Sequence, residues 1–213
     1  MKQLLLICAA VALVGCASAP KPKTTPNTLE AKVAIEKAIQ QLTHLNLTGE
    51  PFTITDVSPL KELEQLTYLN LSRNQIHDVS PLKGLKQLKE LDLYLNLISD
   101  VSPLKELKQL EVLTLNRNEK VRDISALKEL KQLTHLNLWG CSISDVSPLK
   151  ELKQLTHLNL QAQQTSLSDV SDLKELKQLT NLNLTDNPAL TKAQIAELQK
   201  ALPKCQIISN PTK

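Results

Sequence analysis

Leu133-Thr134-His135-Leu136-Asn137-Leu138 decides the architecture, because its six-residue frame recurs along the chain. The frame opens at Leu42, Leu66, Leu88, Leu110, Leu133, Leu155 and Leu179, with successive spacings of 24, 22, 22, 23, 22 and 24 residues. Inside each copy the alternation has period two, so Leu136 and Leu138 face one side of a short strand while His135, Asn137 and Trp139 face the other. One copy cannot bury its leucines alone. Stacked about 4.8 Å apart, successive copies cover each other and make a parallel sheet in a solenoid; seven strands span roughly 29 Å.

The second half of the repeat is equally regular. Asp-Val-Ser-Pro-Leu-Lys-Glu-Leu, with Gly once in place of Glu, stands at 56–63, 78–85, 100–107 and 145–152. Ser58, Ser80, Ser102 and Ser147 are expected to act as N-caps, and the Pro that follows each, lacking an N–H, suits the first helical position. Each segment should therefore open a short helix or 3₁₀ turn on the convex side. Ala126 and Asp172 replace that Pro in two repeats, and both suit a first turn. Ile54, Ile76, Ile98, Val121, Ile143 and Leu167 precede these segments and, with Leu63, Leu85 and their equivalents, should close the apolar ring of each coil.

The pattern L-x-x-L-x-L-x-x-N, in seven copies over residues 42–190, resembles the leucine-rich repeat, and in its details the internalin-like bacterial subfamily. The resemblance implies an α/β solenoid: a horseshoe with a parallel concave β-sheet, short convex helical turns and helical caps at both ends. It also implies an inward asparagine ladder satisfying backbone groups in the turns, which matches Asn74, Asn96, Asn118 and Asn187. Cys141 is a substitute the family uses, whereas Glu50 and Gln163 depart from the pattern in the two 24-residue repeats. The extra residues at 51–53 and 164–166, with a smaller excess near Glu119 and Lys120, are expected to bulge from one rim, where binding loops and tolerated insertions both occur.

An open solenoid end would expose leucines, so both ends need covers. After Thr28, the spacing of Leu29, Val33, Ile39 and Leu42 predicts an N-terminal cap helix within 29–41. In 191–213, Thr191 and Gln194 have capping-box spacing, Ile195, Leu198 and Leu202 share a face, Pro203 stops the helix, and Cys205, Ile207 and Ile208 read as a last strand.

The first residues follow another plan. Lys2, the apolar run from Leu4 to Val14 and the small residues Gly15 to Ser18 have the layout of an export signal. The run is too short to span a bilayer as a mature helix. Leu13-Val14-Gly15-Cys16 resembles the lipobox of bacterial lipoproteins. That resemblance implies removal of 1–15 as signal peptide and acylation of Cys16, with Ala17 implying forwarding to the outer membrane. A conventional cleavage near Ala17 or Ala19 is the alternative. Residues 16–28 hold three prolines and little to bury, which predicts a tether reaching roughly 35 Å in a polyproline-like conformation.

Composition narrows the chemistry. Of 213 residues 44 are leucine, while aromatics make up 2% and glycines number 4, which disfavours phosphate-cradling loops and aromatic-girdled barrels. A net charge of +3, evenly spread, is no footprint for nucleic acid. No GxSxG, HExxH or paired CxxC motif occurs, and the polar residues repeat with the structural period, so neither an enzyme nor a bound cofactor is expected. Cys141 and Cys205 should lie about 10 Å or more apart, too far for a disulfide, and read as buried small hydrophobes. His44, His135 and His157 share one concave position; the last two should lie about 5 Å apart, but no third ligand is evident, so no metal is expected. The mixed-charge Lys-Glu-Leu-Lys-Gln runs read as a solvated convex face.

The concave face is the candidate site. Three of the four aromatics, Tyr68, Tyr94 and Trp139, fall there beside Arg73 and Arg117, a composition typical of binding hot spots, with His135 and His157 completing the candidate set. Strand faces also favour aromatics for structural reasons. The expected function is non-catalytic binding of a protein or peptide by a monomer that the Cys16 lipid holds at a membrane of the cell envelope. The alternative is a structural envelope lipoprotein with no dedicated concave-face ligand.

Overall fold

A computed structural model describes residues 40–49, 53–163 and 167–211. The proposed signal peptide, Cys16, the tether, nearly all of the N-terminal cap helix, residues 51 and 52 of the first insert and the whole of the insert at 164–166 lie outside the described residues. Eight three-residue strands follow in chain order: β1 His44–Asn46, β2 Tyr68–Asn70, β3 Glu90–Asp92, β4 Val112–Thr114, β5 His135–Asn137, β6 His157–Asn159, β7 Asn181–Asn183 and β8 Gln206–Ile208. All pair in parallel with their chain neighbours, giving one sheet in the order β1 to β8. Leu45, Leu69, Leu91, Leu113, Leu136, Leu158, Leu182 and Ile207 form one central row across it. This is the horseshoe solenoid that the repeat implied.

The core is a continuous column. Leu69, Leu71, Ile76, Val79, Leu82, Leu85 and Leu88 form the buried set of one coil, and the equivalent residues of the next coil pack against them. Each buried leucine contributes about 1.5–3 kcal/mol relative to exposure, and only stacking removes both faces of the set from water.

Opposite the sheet, six 3₁₀ turns occupy Ser58–Glu62, Ser80–Gly84, Ser102–Glu106, Ser125–Glu129, Ser147–Glu151 and Ser171–Glu175. The expected serine caps do not form. None of the turns has a side-chain cap from its N-cap residue, and the serine is the first residue inside the turn. The aspartate two residues earlier takes that role: the N–H groups of Ser58, Ser80, Ser102, Ser125, Ser147 and Ser171 donate to Oδ1 of Asp56, Asp78, Asp100, Asp123, Asp145 and Asp169 at 2.7–2.8 Å. An Asp side chain readily closes a turn onto the backbone two residues on, and its charge strengthens the bond.

The asparagine ladder is present. Asn118 Oδ1 accepts from Ile98 N at 3.1 Å, while its Nδ2 donates to Leu93 O and Leu115 O at 2.9 and 2.8 Å. Asn74, Asn96 and Asn187 bind in the same manner. Gln163, expected to depart from the ladder, instead continues it: its Oε1 accepts from Ile143 N at 3.0 Å and its Nε2 donates to Leu138 O at 2.9 Å. One extra methylene carries the same carboxamide to the same kind of partner. Cys141 is buried in the ladder with its thiol 3.5 Å from Leu115 O, and burial pushes its pKa up to about 12. Cys141 and Cys205 are both free and buried.

The C-terminal helix, Lys192–Ala201, begins with the reciprocal capping box of Thr191 and Gln194, buries Leu198 and precedes β8. Along the exposed convex side, Lys86–Glu106, Lys108–Glu129 and Lys131–Glu151 pair across neighbouring coils at 2.9–3.0 Å. Exposed pairs of this kind contribute about 0–1 kcal/mol each.

Candidate functional site: the concave face

Each repeat places three side chains on the concave surface, and in all but the fourth, where it is Thr114, the middle one is committed to the fold. Oδ1 of Asn46, Asn70, Asp92, Asn137, Asn159 and Asn183 accepts the backbone N–H two residues on, at 2.9–3.1 Å. These bonds hold the strand exit, so the residues before and after them present the variable surface. Burial pushes the Asp92 carboxyl above its ordinary range, opposed by the Tyr94 N–H.

Past each strand the ladder continues: Arg73 N donates to Tyr94 O at 2.8 Å, Leu95 N to Asn116 O at 3.0 Å and Arg117 N to Trp139 O at 2.8 Å. Ser72, Tyr94, Asn116 and Trp139 are therefore successive rungs of one row. The next residue in each repeat turns the chain out of the sheet in the left-handed region, with φ of 58° at Arg73, 51° at Leu95, 61° at Arg117 and 67° at Gly140. Glycine adopts this conformation without strain, and a Cβ at Gly140 would stand 3.1 Å from Arg117 Cδ, so the arginine side chain would have to give way. With that space open, the Arg117 guanidinium lies over the Trp139 ring, 5.6 Å from its centroid. The facing carboxylate of Glu119 is 3.9 Å from Arg117 Nη1.

At the other end of the strands, His135 and His157 stack with centroids 4.2 Å apart and planes inclined by 10°. Thr134 Oγ1 donates to Glu111 O and Thr156 Oγ1 to Thr134 O, both at 3.0 Å. Each hydroxyl has spent its proton, so it accepts from the adjacent histidine Nδ1 at 2.9 Å. That tautomer leaves both Nε2 atoms as acceptors. Burial, with the facing His157, lowers the pKa of His135. A shallow hollow of about 280 Å³ is lined by these imidazoles, Asn137, Asn159 and Asn183. Among the described residues no group of three or more His, Cys, Asp or Glu could hold a metal ion.

The seven expected residues thus divide into two places. Arg73, Tyr94, Arg117 and Trp139 gather at the strand exits. His135 and His157 sit at the strand starts, where Tyr68 stacks on His44 with centroids 5.9 Å apart. Leu95 and Leu97 were missed, although they are exposed at 41% and 40%. Their signal was available: Leu95 stands where other repeats carry Arg, Gly, Ala or Asp, and Leu97 where they carry Gln75, Glu119, Ser142 or Pro188. Asn116 was noted only as one member of the concave row.

The family model of Leucine Rich repeats (2 copies) matches residues 64–106, 86–129 and 131–175, together just over half of the chain. The chain belongs to the leucine-rich repeat family. No curated protein matches it. Among solved structures of leucine-rich repeat proteins, it is similar to an internalin of Listeria monocytogenes, with 29% identity, TM-score 0.70, and coverage of 85% of this chain and 59% of that one. Internalin C2 of the same species is 25% identical with TM-score 0.75, over 84% of this chain and 76% of that one. A leucine-rich repeat protein of Leptospira interrogans is 30% identical with TM-score 0.73, over 81% of this chain and 44% of that one. Against the first and third of these the chain spans less than two thirds of the relative's length. No helix of the described residues is long and apolar enough to cross a membrane.

Proposed function

We propose that this leucine-rich repeat protein binds a protein or peptide on its concave sheet, without catalysis, while a lipid on Cys16 holds it at the outer membrane of the cell envelope. The observation that carries the binding reading is the cluster at the strand exits. Tyr94 and Trp139 are half-buried on a rigid ladder, Arg117 is stacked on Trp139, and Arg73 flanks them from the neighbouring rung. Rigid aromatics and arginine supply large contact area at modest entropic cost. The backbone that presents them is already ordered, which lowers the cost of binding. The anchor rests on the Leu13-Val14-Gly15-Cys16 lipobox resemblance. Acyl chains on one cysteine would each add about 0.8 kcal/mol per buried methylene.

Two experiments test the reading. Replacing Tyr68, Tyr94 and Trp139 together by Ser should abolish ligand capture with the melting temperature nearly unchanged. A large fall in melting temperature would show the rings to be structural. Cys16→Ser should move the protein from the membrane fraction to the soluble one, and unchanged membrane association would overturn the anchor. Protease digestion on intact cells, compared with lysed cells, then distinguishes a surface-facing body from a periplasmic one.

A further inference from the structure

The hollow that runs across β4 to β8 is a second place on the concave face, apart from the aromatic cluster at the strand exits. Its volume of about 280 Å³ is close to the lower end of small-ligand sites. Val112 of β4 stands at one end and Ile208 of β8 at the other, with His135, His157, Asn137 and Asn159 between them. Apart from the two imidazoles, no lining side chain is ionisable.

The polar groups between the ends are half spent. Oδ1 of Asn137 and Asn159 accepts from Trp139 N and Gln161 N at 3.1 and 3.0 Å, while among the described residues their Nδ2 atoms have no partner. The imidazoles are the complement: with Nδ1 bonded to threonine, each keeps Nε2 as an acceptor. Both residues of the pair are exposed, and their rings stack 4.2 Å apart. Two successive rungs therefore repeat the same pair of unspent groups, one acceptor and one donor.

The occupant follows from charge and pitch. An ionic ligand would find no counter-charge here, and desolvating an unpaired charge is costly. An extended peptide laid along the row presents like-facing N–H groups every second residue, about 6.8 Å apart, out of step with rungs about 4.8 Å apart. A pyranose ring is close to one rung in length and carries hydroxyls, each able to donate and accept, around its edge. Its C–H faces suit Val112 and Ile208, the latter 49% exposed.

We infer that this hollow binds a linear, uncharged oligosaccharide, whose successive sugar units donate hydroxyls to Nε2 of His135 and His157 and accept from Nδ2 of Asn137 and Asn159. The site goes beyond protein binding at the strand exits and shares none of that cluster's residues.

The test titrates the full chain, by ligand-observed NMR, with cellotetraose, maltotetraose and N-acetylated chitotetraose, beside a sulfated tetrasaccharide and an uncharged peptide. At least one neutral tetrasaccharide should bind with a Kd of about 1 mM or tighter, and the two controls should not. Selection of chitotetraose supports the site with an aminosugar polymer as the source; selection of either glucose tetramer supports it with a glucan. His157→Phe keeps a ring against His135 but has no Nε2. Asn159→Asp keeps Oδ1 for the Gln161 N–H, as Asp92 does for the Tyr94 N–H at 2.9 Å in β3, and loses the Nδ2 donor. Each variant should bind about tenfold more weakly with its melting temperature nearly unchanged, and if one loses its fold the other decides. Binding of none of the three neutral sugars, or preference for the sulfated sugar or the peptide, overturns the proposal. So does a folded variant of either kind that binds as tightly as the parent.

Discussion

Arg117 lies over the ring of Trp139, 5.6 Å from its centroid, and its side chain passes beside the glycine at residue 140. Any Cβ at that position would reach to 3.1 Å from Arg117 Cδ. Three consecutive concerns of the chain, a left-handed turn, a cation and an aromatic ring, thereby meet on two rungs.

Gly140→Ala should therefore displace the arginine as well as strain the turn. Occupying φ of 67° costs a side-chain-bearing residue about 1–2 kcal/mol. Trp139 is the only tryptophan, so its emission reports the arginine directly. A lower denaturation midpoint with a shifted emission maximum is expected; an unchanged spectrum would show that Arg117 keeps its place by other contacts.

The asparagine ladder supports a sharper stability prediction. Asn118→Ala leaves the Ile98 N–H and the carbonyls of Leu93 and Leu115 without this partner inside the core. The loss should be about 3 kcal/mol in urea unfolding, several times the effect of removing a convex ion pair such as Lys108–Glu129. Equal losses from the two would contradict the ladder's role.

Relieving strain at Leu95 should work in the opposite direction. Leu95→Gly removes the left-handed penalty at φ of 51° and little burial, and should raise stability by about 1 kcal/mol. A lower urea midpoint in this variant would contradict the strain at Leu95.

Acid should weaken the fold in two stages. Asp56 is held below its ordinary 3.8 by the hydroxyl and N–H of Ser58, and Asp123 and Asp169 by the N–H and hydroxyl of Ser125 and Ser171. Lys86, Lys108, Lys131 and Lys174 hold Glu106, Glu129, Glu151 and Glu197 below 4.5. A lowered folded pKa gives stability that is present above the unfolded value and lost as pH falls through the folded one. The main decline should thus begin near 4.5 and continue below 3.8. His135, lowered from 6.5 by burial and His157, has the same sign at higher pH, giving a small earlier step just below 6.5 that His135→Gln removes. Urea midpoints measured from pH 7 downwards check both stages.

Much of this was legible from residues alone. The leucine alternation identified the first seven strands, because period two admits only one buried face, Cys205, Ile207 and Ile208 marked the eighth, and the capping box of Thr191 and Gln194 identified the last helix. The turn caps were misassigned. Serine is a common N-cap, but in Asp-Val-Ser the aspartate accepts the serine N–H, and the 3₁₀ turn already begins at the serine, which therefore lies inside it and not at its cap. Gln163 looked like a break because family patterns compare residue types, whereas the backbone tests only where the carboxamide arrives.

Repetition made the solenoid a property of the chain's own periodicity: identical short-range preferences, satisfied once per repeat, can propagate only by stacking. Contacts between coils are different in kind. The stacking of Arg117 on Trp139 and the unpartnered oxygen of Asn116 join residues 22 positions apart, or depend on the company that such neighbours provide. Those were decided by tertiary structure, because a sidechain's reach across a 4.8 Å rung depends on which residue the next coil brings beside it.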